Sequence, residues 1–155
     1  MSNQLLIRFA TEKDVPAIFS LIKELAEFEK LSHQLKTDEA ELKQTLFGDD
    51  KFVEILIAEF DGQIVGQALF FKNFSTFLGK PGIYLEDLYV KPEMRSKGIG
   101  KKLLYKIISI AKERNYGRVE WSVLDWNESA IDFYKKIGAV PLNDWKLFRL
   151  TAEKF

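Results

Sequence analysis

A chain of 155 residues in which 46% are hydrophobic and 30% are charged has the composition of a globular protein, and this argues against disorder. The net charge is zero and no long basic stripe occurs, so we expect no nucleic-acid partner. Cysteine is absent and histidine occurs once, which excludes disulfides and a thiolate nucleophile and predicts no metal site. Signal-peptide features and apolar runs long enough to cross a bilayer are also missing. We therefore expect one soluble, cytoplasmic domain over residues 1–155, without membrane association.

The first half of the chain alternates between apolar patterns of helical and strand period. An Asp61-Gly62 pair between two β-rich runs predicts a hairpin. In chain order, the predicted elements are a strand at 5–9, a helix capped by Thr11 and continuing to Phe28, a short helix from Thr37 or Asp38 to Phe47, and strands at 52–60 and 63–74.

The second half predicts a β-α-β unit, whose two strands should be parallel neighbours. The apolar stripe of its helix consists of Ile99, Leu103, Leu104, Ile107, Ile108 and Ala111. In chain order, the predicted elements are a turn at Lys80-Pro81-Gly82, a strand at 84–90, the helix ending before Asn115, a strand at 118–124, a helix at 128–137 and a closing strand at 147–150.

The segment between the 84–90 strand and its helix predicts an anion site. Arg95-Ser96-Lys97-Gly98-Ile99-Gly100 leads directly into the helix. Glycines allow backbone N–H groups to approach a ligand closely, and the helix dipole favours an anion at this end. Taken alone, the segment is equally compatible with a turn whose glycines only permit tight strand-to-helix packing.

The charge distribution supports the anion site. Residues 91–118 contain nine basic and two acidic side chains, a net charge of +7, whereas residues 1–50 contain six basic and ten acidic ones, a net charge of −4. This asymmetry suits an anionic cofactor and a cationic second substrate. A solvated lysine-rich helix face would account for part of it.

Two motifs resemble the GNAT superfamily of N-acetyltransferases. Arg95–Gly100 matches its R/Q-x-x-G-x-G/A acetyl-CoA loop, and Trp126–Ala139 is similar to its W-N-x-x-A-x-x-x-Y-x-x-x-G-A segment. The resemblance covers nearly the whole chain and is closest to the diamine (spermidine/spermine) and thialysine branch. It implies a mixed α/β GNAT-like fold, with a central twisted mixed sheet of six to seven strands, about four helices and the order β-α-α-β-β-β-α-β-α-β.

The same resemblance implies that acetyl-CoA is the co-substrate. In the family, Leu88 N–H would meet the thioester carbonyl, Val90 would meet the pantetheine amides, and the pyrophosphate would rest on N–H groups from Ser96 to Lys101. The cofactor-binding residues expected on this basis are Leu88, Tyr89, Val90, Arg95, Ser96, Lys97, Gly98, Ile99, Gly100, Lys101, Asn127, Ala130 and Tyr134.

Acetyl transfer to an amine needs a proton acceptor beside the amine and a proton donor beside the sulfur. Tyr134 corresponds to the tyrosine that the resembled enzymes use as the general acid, although a helical tyrosine beside Phe133 could instead be a core aromatic. We assign Glu86 as the acceptor, through water, with an ion pair within the sheet as the alternative. Strand alternation predicts that Asp87 faces the opposite side from Glu86, so we interpret Asp87 as structural.

Phe28 and Glu29 correspond to the family's aromatic-glutamate pair that contacts the substrate amine, so we expect Phe28, Glu29 and Glu86 to bind substrate. Polyamine-specific members carry an acid and a tryptophan where this chain has residues 75–80, which contain neither. A smaller amine, such as a diamine or a lysine analogue like thialysine, is therefore favoured. Acetylation of a peptide or protein amine and a non-catalytic acyl-CoA-binding module are the alternatives. The family also implies a homodimer.

Overall fold

The computed structural model describes residues 4–155. The strands are β1 (Leu5–Phe9), β2 (Val53–Phe60), β3 (Gln63–Ser75), β4 (Lys80–Val90) and β5 (Val119–Trp121), and the helices are α1 (Val15–Phe28), α2 (Glu39–Phe47), α3 (Ile99–Glu113) and α4 (Glu128–Lys136). The chain divides into two compact units, the first ending at Ser122 and the second consisting of Val123–Phe155. The expectation of a single domain over residues 1–155 stays a prediction.

The first unit contains a five-stranded mixed sheet in the order β1-β2-β3-β4-β5. Every neighbouring pair is antiparallel except β4 and β5, which are parallel and enclose α3, as the sequence predicts. The β2–β3 hairpin turns at Asp61 (φ 50°) and Gly62 (φ 81°). Two residues with positive φ are the requirement of a type I′ turn, so the Asp-Gly signal is confirmed.

Helices cover both faces of this sheet. On one face, Ile18 of α1 and Leu46 of α2 form a buried cluster with Ile55, Ile57 and Leu69 of the sheet. α3 packs on β3 and β4. The buried residues of α3 are Ile99, Leu103, Leu104, Ile107, Ile110 and Ala111, so Ile110 takes the place expected for Ile108. Burying each of these larger side chains contributes about 1.5–3 kcal/mol to folding.

The start of α1 is tied to the sheet by a polar network. The Asp14 carboxylate accepts from the Thr11 backbone N–H at 2.8 Å and from Arg8 Nη1 at 2.8 Å. Arg8 Nη2 also donates to Glu59 on β2 at 2.9 Å. The hydrogen bond from Arg8 lowers the pKa of Asp14, so the ionised carboxylate joins β1 to the turn from Thr11 to Asp14 that leads into α1.

The predicted turn at Lys80-Pro81-Gly82 is wrong, because these residues begin β4 and Pro81 lies opposite Phe74. The turn lies at residues 76–79, where Gly79 has a φ of 64°. A Cβ on Gly82 would lie 2.8 Å from the Arg118 carbonyl oxygen. The glycine therefore permits close strand approach rather than a turn.

The mixed α/β fold is confirmed, but the sheet formed by residues 4–155 has five strands instead of six to seven. β5 covers three residues of the run expected at 118–124, and residues 147–150 form no strand. An apolar β-rich run indicates strand propensity, whereas a strand exists only when its backbone groups join a ladder. The sequence of residues 147–150 has strand propensity but does not specify a strand with which it would pair.

Candidate active site

The loop before α3, residues 95–100 and called the anion loop below, has the backbone geometry of an anion site. Ser96 (φ 64°) and Gly98 (φ 76°) adopt left-handed conformations, and Gly98 is the N-cap without any capping side chain. The first N–H groups of α3 therefore have no intrahelical acceptor. A Cβ built on Gly98 would meet no atom within 4 Å, so the space in front of the loop is open. These features fit a phosphate group.

Next to this loop, the end of β4 is paired on one side only. The parallel register with β5 ends at Leu85, opposite Trp121, whereas pairing with β3 continues through Leu88 and Val90. The β5-facing edge of β4 from residue 86 to 90 therefore has no ladder partner in β5. An unpaired strand edge presents backbone donors and acceptors to a ligand.

A register shift in β4 changes which carboxylates share a face. Leu69 lies opposite Asp87 and Phe70 lies opposite Leu85, so Glu86 is the extra residue of a bulge. Across this shift, Glu86 and Asp87 lie on the same side of the sheet. The expectation that they face opposite sides is wrong, because alternation holds only where the ladder is regular.

Asp87, which the sequence analysis interprets as structural, is a titratable group with a strongly shifted pKa. Burial raises its pKa to about 7, with further contributions from the negative charges of Glu86 and Glu29. Burial also raises the pKa of Glu29, which follows α1. These three carboxyl groups form an acidic cluster, a site that favours a cation. The only sequence signal was the adjacent Glu-Asp pair, since the bulge depends on the register with β3.

The Arg95 side chain joins the anion loop to the end of α1. Its guanidinium carbon lies 4.8 Å from the ring centroid of Phe28 and 5.4 Å from that of Tyr89, and its Nε donates to the Val90 carbonyl oxygen at 3.0 Å. The Tyr89 hydroxyl in turn donates to Glu24 of α1 at 3.4 Å. Arg95 thus connects residues expected to bind the cofactor with Phe28, which is expected to bind substrate.

The remaining candidate residues lie in the second unit, on or beside α4. Asn127 is the N-cap, and its side-chain oxygen accepts from the Ala130 backbone N–H at 3.4 Å. The Tyr134 ring lies 5.6 Å from the ring of Phe133 at an interplanar angle of 48°. Seven residues separate Asn127 from Tyr134, which is about two turns, so the two project from one side of the helix.

The described part of the chain contains neither a cluster of metal ligands nor a helix that could span a membrane. Across residues 4–155, no three His, Cys, Asp or Glu side chains are grouped so that they could hold a metal ion. None of the helices in the same range has the length and apolar character required to cross a membrane.

The profile of the acetyltransferase (GNAT) family matches residues 16–139, a range that includes both motifs. The chain belongs to the GNAT acetyltransferase family and is an N-acetyltransferase.

Individual relatives refine this assignment. The chain is 42% identical to the thialysine N-epsilon-acetyltransferase of Bos taurus, over 96% of this chain and 93% of that protein. It is 33% identical to the L-ornithine N5-acetyltransferase of Arabidopsis thaliana, over 95% of this chain and 84% of that protein.

Solved structures show the same fold at lower identity. An aminoglycoside acetyltransferase from an uncultured soil sample superposes with a TM-score of 0.79 at 23% identity, covering 97% of both chains. An integron cassette protein of V. cholerae superposes with a TM-score of 0.81 at 23% identity, covering 97% of this chain and 94% of the other. The expected GNAT-like fold is therefore confirmed.

Proposed function

We propose that this chain transfers the acetyl group of acetyl-CoA to the side-chain amine of a small amino acid resembling lysine, such as thialysine or ornithine. The observation that carries the proposal is the acidic cluster of Glu29, Glu86 and Asp87 in the unit that also holds the anion loop. The cluster suits a cationic amine, and the loop suits the phosphates of the co-substrate.

The co-substrate would bind through backbone groups. The N–H groups from Ser96 to Lys101 would hold its pyrophosphate, supported by the open space at Gly98. The unpaired edge of β4 would direct Leu88 N–H to the thioester carbonyl and Val90 to the pantetheine amides. Bound acetyl-CoA supplies an activated acetyl group, and the protein orients the acceptor towards it.

The amine must lose a proton before it attacks, because a primary amine with a pKa near 10 is mostly protonated at neutral pH. Glu86, acting through water, is the proposed acceptor. Asp87 shares its face, and its pKa of about 7 makes it a second group able to take up a proton near neutral pH. The two carboxylates also attract the ammonium form of the substrate before deprotonation.

The leaving thiolate must gain a proton, and Tyr134 is the proposed donor. The support is its place in the family motif, seven residues after Asn127, on the same side of α4. Asn127 and Ala130 would contact the pantetheine arm, and Asn127 additionally holds the start of the helix. We expect Tyr134→Phe to lower kcat ~10²–10⁴-fold while the Kd for acetyl-CoA stays nearly constant. Equal turnover in the two proteins would refute Tyr134 as the acid.

The substrate is proposed from two observations. Residues 75–80 lack the acid and the tryptophan of polyamine-specific members. The relatives named for thialysine and ornithine also match nearly the whole chain. A screen of thialysine, ornithine, spermidine and a lysine peptide, with thiol release as the readout, tests the proposal. We expect the highest kcat/KM for one of the two amino acids.

Other outcomes of this screen identify the alternatives. Turnover confined to the peptide would indicate a peptide or protein acetyltransferase. Tight acetyl-CoA binding without any acetylated amine would indicate a non-catalytic acyl-CoA-binding module. A homodimer and a cytoplasmic location remain predictions, and sedimentation at micromolar concentration tests the former.

A further inference from the structure

A concavity lies in the first unit at the end of α3 that is remote from the anion loop. Its volume is about 620 Å³, and Arg114 and Tyr116, just beyond the C-terminus of α3, contribute to its wall. The anion loop precedes the N-terminus of the same helix. Because α3 has 15 residues, its two ends are roughly 22 Å apart. The concavity is therefore separate from the candidate active site.

Much of the wall is apolar and aromatic. Phe47, from the end of α2, lines it together with Phe9 and Phe52, which are 48% and 65% exposed. The Phe52 ring also meets the Phe71 ring edge-on, with centroids 6.1 Å apart. Single exposed apolar residues are common on protein surfaces and do not enclose a volume. Two exposed phenylalanine residues that line the same concavity are typical of a binding surface.

The rest of the wall carries an excess of positive charge. Arg114 makes a bidentate ion pair with Glu54, with both N–O distances 2.7 Å, so these two charges offset each other. Lys51 and Lys72 also line the hollow. Within residues 4–155, no carboxylate lies within 4.0 Å of either lysine ammonium group. The concavity therefore has a net charge of +2.

We propose that this concavity is a binding site for a small amphipathic anion, an aliphatic or aromatic body bearing one carboxylate or sulfonate. The phenylalanine wall would bury the body, and Lys51 and Lys72 would hold the anionic head. The volume lies within the ~300–1,000 Å³ usual for small-molecule sites. The two lysines disfavour the cationic amines that the acidic cluster attracts. The proposal stands independently of the acetyltransferase reaction.

The fluorescent sulfonate 8-anilino-1-naphthalenesulfonate provides the test, titrated into the full chain at saturating coenzyme A. We expect saturable binding of one probe per chain, unaffected by coenzyme A because the two sites lie at opposite ends of α3. The double variant Lys51→Gln/Lys72→Gln should bind the probe at least tenfold more weakly. The control Lys36→Gln/Lys43→Gln, which removes two exposed lysines outside the hollow, should leave binding unchanged.

Two further arms examine the apolar wall and the sign of the charge. Phe52→Ser should weaken probe binding, whereas Phe77→Ser, at a fully exposed residue outside the hollow, should not. Dodecanoate should displace the probe and dodecylamine should not. Displacement of the probe by coenzyme A, equal binding in both lysine double variants, or equal competition by the acid and the amine would each overturn the proposal.

Discussion

At the scale of single residues, Asp87 links the chemistry of the site to the stability of the fold. Its pKa is 3.8 in the unfolded chain and about 7 in the folded one, mainly because the folded protein buries it. The folded state therefore binds more protons than the unfolded state between these values. The stabilising effect of the neutral carboxyl is complete below pH 3.8 and is lost as the pH rises through 7.

This difference predicts the behaviour of Asp87→Asn, which cannot ionise. Between pH 5 and pH 8, the free energy of unfolding of the parent protein should fall by up to ~2.5 kcal/mol relative to the variant. Urea unfolding of both proteins at the two pH values measures it. The prediction fails if the two stabilities change in parallel.

Arg95 allows a second prediction at this scale, because its side chain contacts Phe28 as well as the loop. Arg95→Ala removes the cation–π contacts and the hydrogen bond to the Val90 carbonyl, so Phe28 loses its contact with the loop. We expect the KM for the amine to rise several-fold, in addition to any loss of acetyl-CoA affinity.

Lys97→Ala, an exposed change in the same loop, is the matched control for the amine effect and should leave the KM for the amine unchanged. If Arg95→Ala alters only the affinity for acetyl-CoA, the proposed connection to the substrate side is wrong.

The placement of a site residue could be predicted where its neighbours in the structure are also its neighbours in the sequence. The loop from Arg95 to Gly100 lies within one continuous motif, so its position at the start of α3 was predictable. The shared face of Glu86 and Asp87 depends on the pairing of β4 with β3, and no local pattern marks a bulge there. The stacking of Arg95 on Phe28 joins residues far apart in sequence and was likewise hidden.

At the scale of elements, the proposed ligand-binding role of Gly98 at the start of α3 can be distinguished from the effect of backbone strain. Gly98 and Gly79 both have positive φ, 76° and 64°, and a Cβ on either would meet no atom within 4 Å. Substitution of either glycine by alanine should therefore lower the free energy of unfolding by a similar ~1 kcal/mol.

Only Gly98→Ala should weaken acetyl-CoA binding, since only that Cβ would enter the space proposed for the pyrophosphate. Calorimetric titration of both folded variants measures the difference. Unaltered acetyl-CoA affinity in Gly98→Ala, or an equal loss in Gly79→Ala, would contradict the loop assignment.

The predictable elements were those specified by short-range signals. The α3 stripe and the Asp61-Gly62 hairpin follow from periodicity and turn chemistry. The start of β4 was not predictable, because Gly82 resembles a turn glycine in the sequence. Its role is to allow the close approach of the Arg118 backbone, about 36 residues later in the chain. The absence of a strand at 147–150 has a similar origin, since strand pairing is a long-range property.

At the scale of the whole molecule, the charge distribution of the first unit should influence how the co-substrate arrives. The stretch from residue 91 to 118 carries a net charge of +7, although the chain as a whole is neutral. Acetyl-CoA carries several negative charges on its phosphates. A cationic surface around the anion loop should raise its rate of encounter at low ionic strength.

We therefore expect the KM for acetyl-CoA to rise with added salt, since the Debye length falls from ~10 Å at 0.1 M to ~3 Å at 1 M. Lys101→Gln/Lys102→Gln, at two exposed residues in the first turn of α3, should raise the KM at low salt and flatten this dependence. Lys36→Gln/Lys43→Gln removes the same charge from the acidic first third of the chain and should preserve the slope. Equal slopes in all three proteins would mean that local backbone contacts, and not the surrounding lysines, determine how the co-substrate is captured.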